Sequence, residues 1–378
     1  MVRFALVAVG SVLIAGAVVG PGRASLYQPA DPNVVPVRDD GTAEPFPPDE
    51  FRRRMGALGN AADPRPTPAG ELNPDRAKVL ARVRAKTPAR GLSADDTAAL
   101  AADLIRLGNS DRVGTTDGGF FVNDALNLLA PRVRDRVPSY FVHTTLAQAH
   151  AARGEWAEAA TYHDAALLDA EMPAAVKGWT PTQRDWVARL DRTYVPHYLH
   201  AHKADADARP RPAPEAEEPT PLFPAGTPGA APVRFADESG AYRPGELAAA
   251  ERAKLPPDAV AVVQQLLLWF PSDTRLYWLL AELYAAGGDA ETAQKIMDEC
   301  AWSRQYGNRN QLMDHRAAVA DAVEAKRKAA AQAQIDAYPI NLRLVFVYFG
   351  VVAAVAAVAV ARALGRRRGG GCGPGGCC

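Results

Sequence analysis

Between Leu344 and Ala361 the chain reads LVFVYFGVVAAVAAVAVA, 18 residues without a charge, bounded by Arg343 and Arg362. At about 1.5 Å of rise per residue such a helix reaches roughly 27 Å, close to the hydrocarbon thickness of a bilayer. Lipid offers no partner to open backbone groups, so a segment that crosses it here must be helical. The stretch therefore predicts a transmembrane helix within 340–364, followed by an Arg-, Gly- and Cys-rich tail at 365–378. A buried core helix is the competing reading, but core helices seldom run this far without a polar residue.

The other end of the chain constrains orientation. Arg3 is followed by an apolar run from Phe4 to Val19 and then by Gly22, Arg23 and Ala24, a pattern of charge, apolar core and small residues. Residues 1–24 read as a secretory signal peptide or an N-terminal anchor, and both place residue 25 onward outside the cytosol. The chain then returns through 344–361 and ends inside, with Arg362, Arg366, Arg367 and Arg368 on the retained side. Lys326, Arg327, Lys328 and Arg343 precede the span and weaken the charge bias. Orientation thus rests on the N-terminal segment, and the expected location is the bacterial inner membrane, single-pass, with an extracytoplasmic body.

The 31 prolines and 30 glycines of the 378 residues gather in a few stretches that divide the body. Residues 25–73 read as a Pro-rich flexible arm, because proline flanks nearly every apolar residue and forbids a regular helix, with room for one short helical piece around Asp49–Leu58. Helical signals begin at Asn73-Pro74, a cap with Pro at the first helical position. They fill a first unit, 74–205. A Pro/Ala-rich linker with a possible small hairpin around Gly240 follows at 206–243, and a second helical unit at 244–336. Within that second unit Val262, Val263, Leu266, Leu267 and Leu268 make one helix apolar on more than one face, which predicts a central position. The expected fold class is all-α.

Two stretches carry a recognisable spacing. In 139–173, Leu146-Ala147, His150, Gly154, Trp156, Ala159, His163 and Ala166 recur at fixed offsets. In 274–307, Tyr277, Leu280-Ala281, Tyr284, Gly288, Ala293, Met297 and Cys300 occupy the same offsets. Small alanines let two antiparallel helices approach, glycine makes the turn, and large residues fill the groove beside them. Both stretches resemble the tetratricopeptide repeat, a 34-residue helix–turn–helix. His150 and His163 stand where that family usually has aromatics, and together the copies cover under a quarter of the chain. The resemblance implies an α-solenoid-like fold and protein–protein interaction, and it implies no chemistry. A groove lined by Tyr277, Trp278, Tyr284, Trp156 and His150 would hold a protein or peptide partner.

Other candidates compete with plainer readings. His197, His200 and His202 have spacing for one helical face and could hold zinc; the plainer reading is a polar helix end. Cys372, Cys377 and Cys378 in the tail could bind metal, take a lipid or form a redox pair, or could simply be solvated. Formal net charge is zero, which argues against a nucleic-acid partner. Phosphate-binding glycine loops and the GxSxG elbow are missing from the sequence. The expectation is a non-enzymatic, membrane-anchored interaction scaffold or adaptor without a cofactor. The alternatives are an envelope enzyme or metal carrier using the three histidines, and a purely structural envelope protein.

Overall fold

A computed structural model describes residues 33–87, 91–108, 116–134, 139–176, 178–210, 213–226, 229–302, 306, 309–337 and 342–368. The predicted signal segment 1–24 and the tail cysteines lie outside them. The fold is all-helical: α1 (Pro48–Ala62), α2 (Pro74–Lys86), α3 (Ala94–Gly108), α4 (Thr116–Arg134), α5 (Tyr140–Ala152), α6 (Trp156–Asp169), α7 (Pro181–Asp207), α8 (Ala249–Arg252), α9 (Ala259–Trp269), α10 (Thr274–Ala286), α11 (Ala290–Trp302), α12 (Asn310–Ala337) and α13 (Leu342–Arg368). The chain divides into two compact units, Met1–Ala320 and Asp321–Cys378, and the division falls inside α12.

The helix starts follow from local chemistry. Asn73 accepts a hydrogen bond from the Asp75 N–H at the start of α2, with Pro74 supplying the first helical residue. The Ser93 hydroxyl accepts from the Asp96 N–H ahead of α3. Thr180 and Gln183 form a reciprocal capping box on α7. Each arrangement satisfies N–H groups that have no partner within the helix.

Helices α5–α6 and α10–α11 form antiparallel hairpins over the two stretches singled out by their spacing, and their N-caps and turn-closing bonds correspond 134 residues apart. Ser139 caps α5 by accepting from the Val142 N–H, and Asp273 caps α10 by accepting from the Leu276 N–H. In the first turn the Gly154 N–H donates to Ala151 and the Glu155 N–H to His150. In the second the Gly288 N–H donates to Ala285 and the Asp289 N–H to Tyr284. Gly154 and Gly288 have φ of 73° and 85°, a region that a side chain makes costly. Ala147, Ala159 and Ala166 in one copy, and Ala281, Ala293 and Cys300 in the other, are all buried where the paired helices meet.

Helix α9 is enclosed on every side. Val262, Val263, Leu266, Leu267 and Leu268 are fully buried, and so are the adjacent Gln264 and Gln265. Those two amides hold the N-terminal segment. Gln264 accepts from the Phe46 N–H at 2.7 Å and donates back to the Phe46 carbonyl at 3.1 Å, while Gln265 accepts from the Val35 N–H at 3.0 Å. The prolines of 33–47 do exclude helix there, but the segment is not a free arm: Val35, Phe46, Phe51 and Met55 are core residues. Elements do not require periodicity to be buried, only apolar side chains and satisfied backbone groups.

The predicted linker is likewise packed. Thr220, Leu222 and Phe223 are buried, the Thr220 N–H donates to the Arg275 carbonyl, and Glu217 pairs with Arg309 at 2.7 Å. Around Gly240 the expected hairpin is reduced to one antiparallel bridge between Ala236 and Tyr242. A like bridge joins Val37 to Ala43 across Gly41. The two hairpins consequently belong to one body. Helix α7 joins them: Trp186 donates to Asp258 at 2.9 Å, Arg189 pairs with the same carboxylate, and Tyr198 lies against Phe270.

Candidate functional site

Where the turn of the first hairpin approaches the start of the second, the body holds a partly open cavity of about 290 Å³. Gln148, Ala151 and Ala152 at the end of α5 form one wall, with Trp156 at the start of α6 beside them. Tyr198 and His202 approach from α7, and the turn between α9 and α10 supplies Trp269, Phe270, Asp273 and Arg275. Tyr306 and Arg309 close the remaining side. Of the lining residues Ala152 and Ser272 are exposed, and Trp156 is half-buried and stacks on the His202 ring at 4.3 Å.

Asp273 organises this region. Besides capping α10, its carboxylate accepts from the Tyr198 hydroxyl at 2.9 Å and meets His202 Nε2 at 2.8 Å. Burial alone would raise its pKa; attraction to the His202 ring when charged, with the hydrogen bonds from His202, Leu276 N–H and Tyr198, outweighs it and sets the value at about 2. Burial, together with the Asp273 charge, pushes the Tyr198 phenol well above its ordinary value, so it stays a donor. The two guanidinium groups are also engaged. Arg275 pairs with Asp205 and donates to the Glu218 carbonyl, and Arg309 pairs with Glu217. Burial, with Glu217 nearby, raises the Tyr306 phenol.

One polar side chain of the wall stands apart. Gln148 is 3% exposed, and neither its Oε1 nor its Nε2 has a hydrogen-bonding partner among the described residues. Burying an amide in this state costs about 1–3 kcal/mol. The cavity thus combines aromatic walls with polar groups that are largely engaged with one another, and the Gln148 amide lies closed off behind its wall.

Of the residues singled out from the sequence for a partner groove, Trp156 lines this cavity. Tyr277 and Trp278 are completely buried in α10: Tyr277 donates to Glu299 at 2.9 Å and Trp278 to Glu282 at 2.7 Å, so both are core rather than groove. Tyr284 is tied by Gln264 at 3.1 Å, and burial pushes its phenol up to about 12. His150 bonds Glu155 at 2.7 Å and stacks on Tyr162. The three histidines weighed as a metal site do not converge. His197 engages the Pro221 carbonyl at 2.9 Å, His202 engages Asp273, and His200 is exposed. Among the described residues no group of three His, Cys, Asp or Glu side chains is arranged to hold a metal ion.

Sequence reading missed Gln148, Arg275 and Arg309. A glutamine inside Leu-Ala-Gln-Ala-His is a weak signal until the buried face of α5 is known. The arginines sit in capping and loop positions whose importance arises only when 205–218 folds back on them.

Among the described residues no helix is long and apolar enough to cross a membrane. The side chains described on α13 begin at 346, so Leu344 and Val345 of the predicted span fall outside them. Every side chain from 346 to 362 is exposed, including Phe346 at 70%, Tyr348 at 68% and Val355 at 64%. No family model matches the chain, and neither a curated protein nor a solved structure is similar to it.

Proposed function

We propose that this protein is a membrane-tethered, tetratricopeptide-like scaffold whose body lies on the extracytoplasmic side and binds a protein or peptide partner. The observation that carries the reading is the uncharged apolar run Leu344–Ala361, of which the described side chains of α13 cover 346–361; that described part alone is too short to span a bilayer. The described apolar side chains of α13 are bare around the whole circumference, with Val352 the least exposed large one at 48%. Water is a poor solvent for such a helix, at about 25 cal/mol per Å² of apolar surface, and a bilayer is a good one. The paired hairpins support the binding role, because helical hairpins with matched turns stack into surfaces suited to peptides. The cavity lined by both hairpins supports the same reading.

Two measurements test this. The full-length protein should partition into the detergent phase in a cloud-point separation, and a chain ending at Asp336 should remain in the aqueous phase. A reporter active only outside the cytosol, fused at the exposed Ala230, should be active. Aqueous partitioning of the full-length chain, or activity of a cytosol-only reporter at the same position, overturns the reading.

A further inference from the structure

We infer that Arg275 and Arg309 form a carboxylate site on the cavity wall, which Glu217 plugs from within the chain, and that a small aryl carboxylate binds there when the plug lifts. Glu217 arrives on the segment that leads from α7 toward the second hairpin. Every other described side chain of 209–218 is exposed; Glu217 alone is half-buried. Its carboxylate lines the cavity, accepts from Arg309 Nε at 2.7 Å and stands 3.9 Å from Arg275 Nε. The same Arg275 nitrogen donates to the Glu218 carbonyl at 2.7 Å. The inward-facing group of this segment is therefore a carboxylate, and it sits on an arginine pair. Directly afterwards the chain is held differently, by burial of Thr220, Leu222 and Phe223. The result is a strap that is firm at 220–223 and fastened by charge at 217. An ion pair left partly open to water is weak enough to exchange.

What takes the place of Glu217 must offer the arginines the same group. Each guanidinium presents N–H donors in a planar fork that suits a carboxylate, and two of them converge here. The adjoining walls define the remainder of the ligand. Trp156, Trp269, Phe270 and Tyr306 present aromatic surface, and the Arg309 guanidinium lies 4.6 Å over the Tyr306 ring. A volume near 290 Å³ lies at the small end of ligand pockets and suits a single-ring acid. Neither the membrane tether nor a protein partner is needed for this site.

The test uses the full-length protein in detergent with 3-phenylpropionate as the probe. Tryptophan fluorescence, excited beyond the probe's absorption and corrected against protein-free micelles, reads the binding, which should saturate. Glu217→Gln replaces the plug by its neutral isostere and should tighten binding about tenfold, as for a plug closed about nine-tenths of the time. The double variant Glu217→Gln with Arg309→Gln should bind at least about tenfold more weakly than Glu217→Gln, because charge-assisted hydrogen bonds are lost. The neutral 3-phenylpropanamide should bind more weakly than the acid and should not distinguish Glu217→Gln from the unsubstituted protein. Saturating 3-phenylpropionate should also speed cleavage of the unsubstituted protein after Glu215 by a glutamate-specific protease, since the strap is released. A merely structural ion pair would not give that acceleration.

Absence of saturable binding to Glu217→Gln overturns the site. Equal affinity of Glu217→Gln and the unsubstituted protein, or cleavage after Glu215 that the probe leaves unchanged or slows, overturns the plug. Equal binding of acid and amide, or of the single and double variants, overturns the arginine pair as the receptor of the carboxylate. If the probe fails while the full chain still partitions with detergent and the Ala230 reporter is active outside, the carboxylate site falls and the tethered topology stands.

Discussion

Asp273 shows how one side chain can serve three structures. It caps α10, orients His202 and takes the Tyr198 hydroxyl, and α7 is thereby fastened to the second hairpin. Its pKa is depressed from 3.8 to about 2. A depressed carboxylate contributes stability that is present above the unfolded value and is lost as pH falls through the folded one. The window is therefore about pH 4 down to pH 2, and the contribution is about 2 kcal/mol at neutral pH. Asp273→Asn keeps a capping oxygen but removes the charge. It should cost about 2 kcal/mol at pH 7 and nearly nothing at pH 2. Urea unfolding at several pH values reads this directly, and a deficit that persists unchanged to pH 2 would remove the ionic account. The same residue illustrates the reach of sequence reading. Ser272 and Asp273 are visible as capping positions before a helix, but His202 lies 71 residues earlier and its ring direction is fixed only by packing. Spacing alone placed His197, His200 and His202 together as ligands. In the fold two of the rings are taken by Pro221 and Asp273, and the third faces solvent.

At the scale of elements, the hairpins were the most legible part of the chain, because their geometry is set by residues near one another. Small side chains at the crossing and a left-handed glycine at the turn are local requirements, and both copies meet them. Gly154→Ala and Gly288→Ala should each cost about 1–2 kcal/mol, since φ of 73° and 85° crowds a Cβ whatever space surrounds it. Gly59→Ala is the contrast. It lies inside α1 with nothing within 4 Å of the added methyl, so it should stabilise by about 0.5–1 kcal/mol. Equal effects at all three positions, measured by chemical denaturation, would refute the role given to the turns. Aromatic side chains were harder to assign. Tyr277 and Trp278 are consecutive and so point to different sides of α10, and a groove model needs one side open. Helix α10 has neither side open, because α9, α11 and the start of α12 cover it; Glu282 binds Trp278 and also His315 on α12.

At the scale of the molecule, the feature least visible in the sequence is how far the non-helical segments contribute to the core. Proline content signals that 33–47 and the described residues of 208–232 are not α-helical, but composition was extended from there to flexibility, and that step fails. Val35 and Phe46 are buried singly, without a repeating pattern to reveal them, and their backbone groups are satisfied by Gln265 and Gln264, more than 200 residues away. A double glutamine inside the apolar run Val-Val-Gln-Gln-Leu-Leu was the available clue, since an enclosed helix tolerates amides only where something accepts them. The consequence is a specific dependence of the N-terminal segment on the second hairpin unit. Gln264→Leu removes the acceptor for the Phe46 N–H and the donor to its carbonyl, leaving both groups buried without partners and costing about 2–4 kcal/mol. Adding Gln265→Leu frees the Val35 N–H as well. Hydrogen exchange should then accelerate by orders of magnitude at Val35 and Phe46, because a segment held by few long-range bonds opens below the global unfolding free energy. The amides of α5 and α6, which share no bond with those glutamines, should retain their protection. Uniform acceleration across the body would mean that the segment is part of a single cooperative unit with no separate latch, and unchanged exchange at Val35 and Phe46 would mean that apolar burial alone holds it.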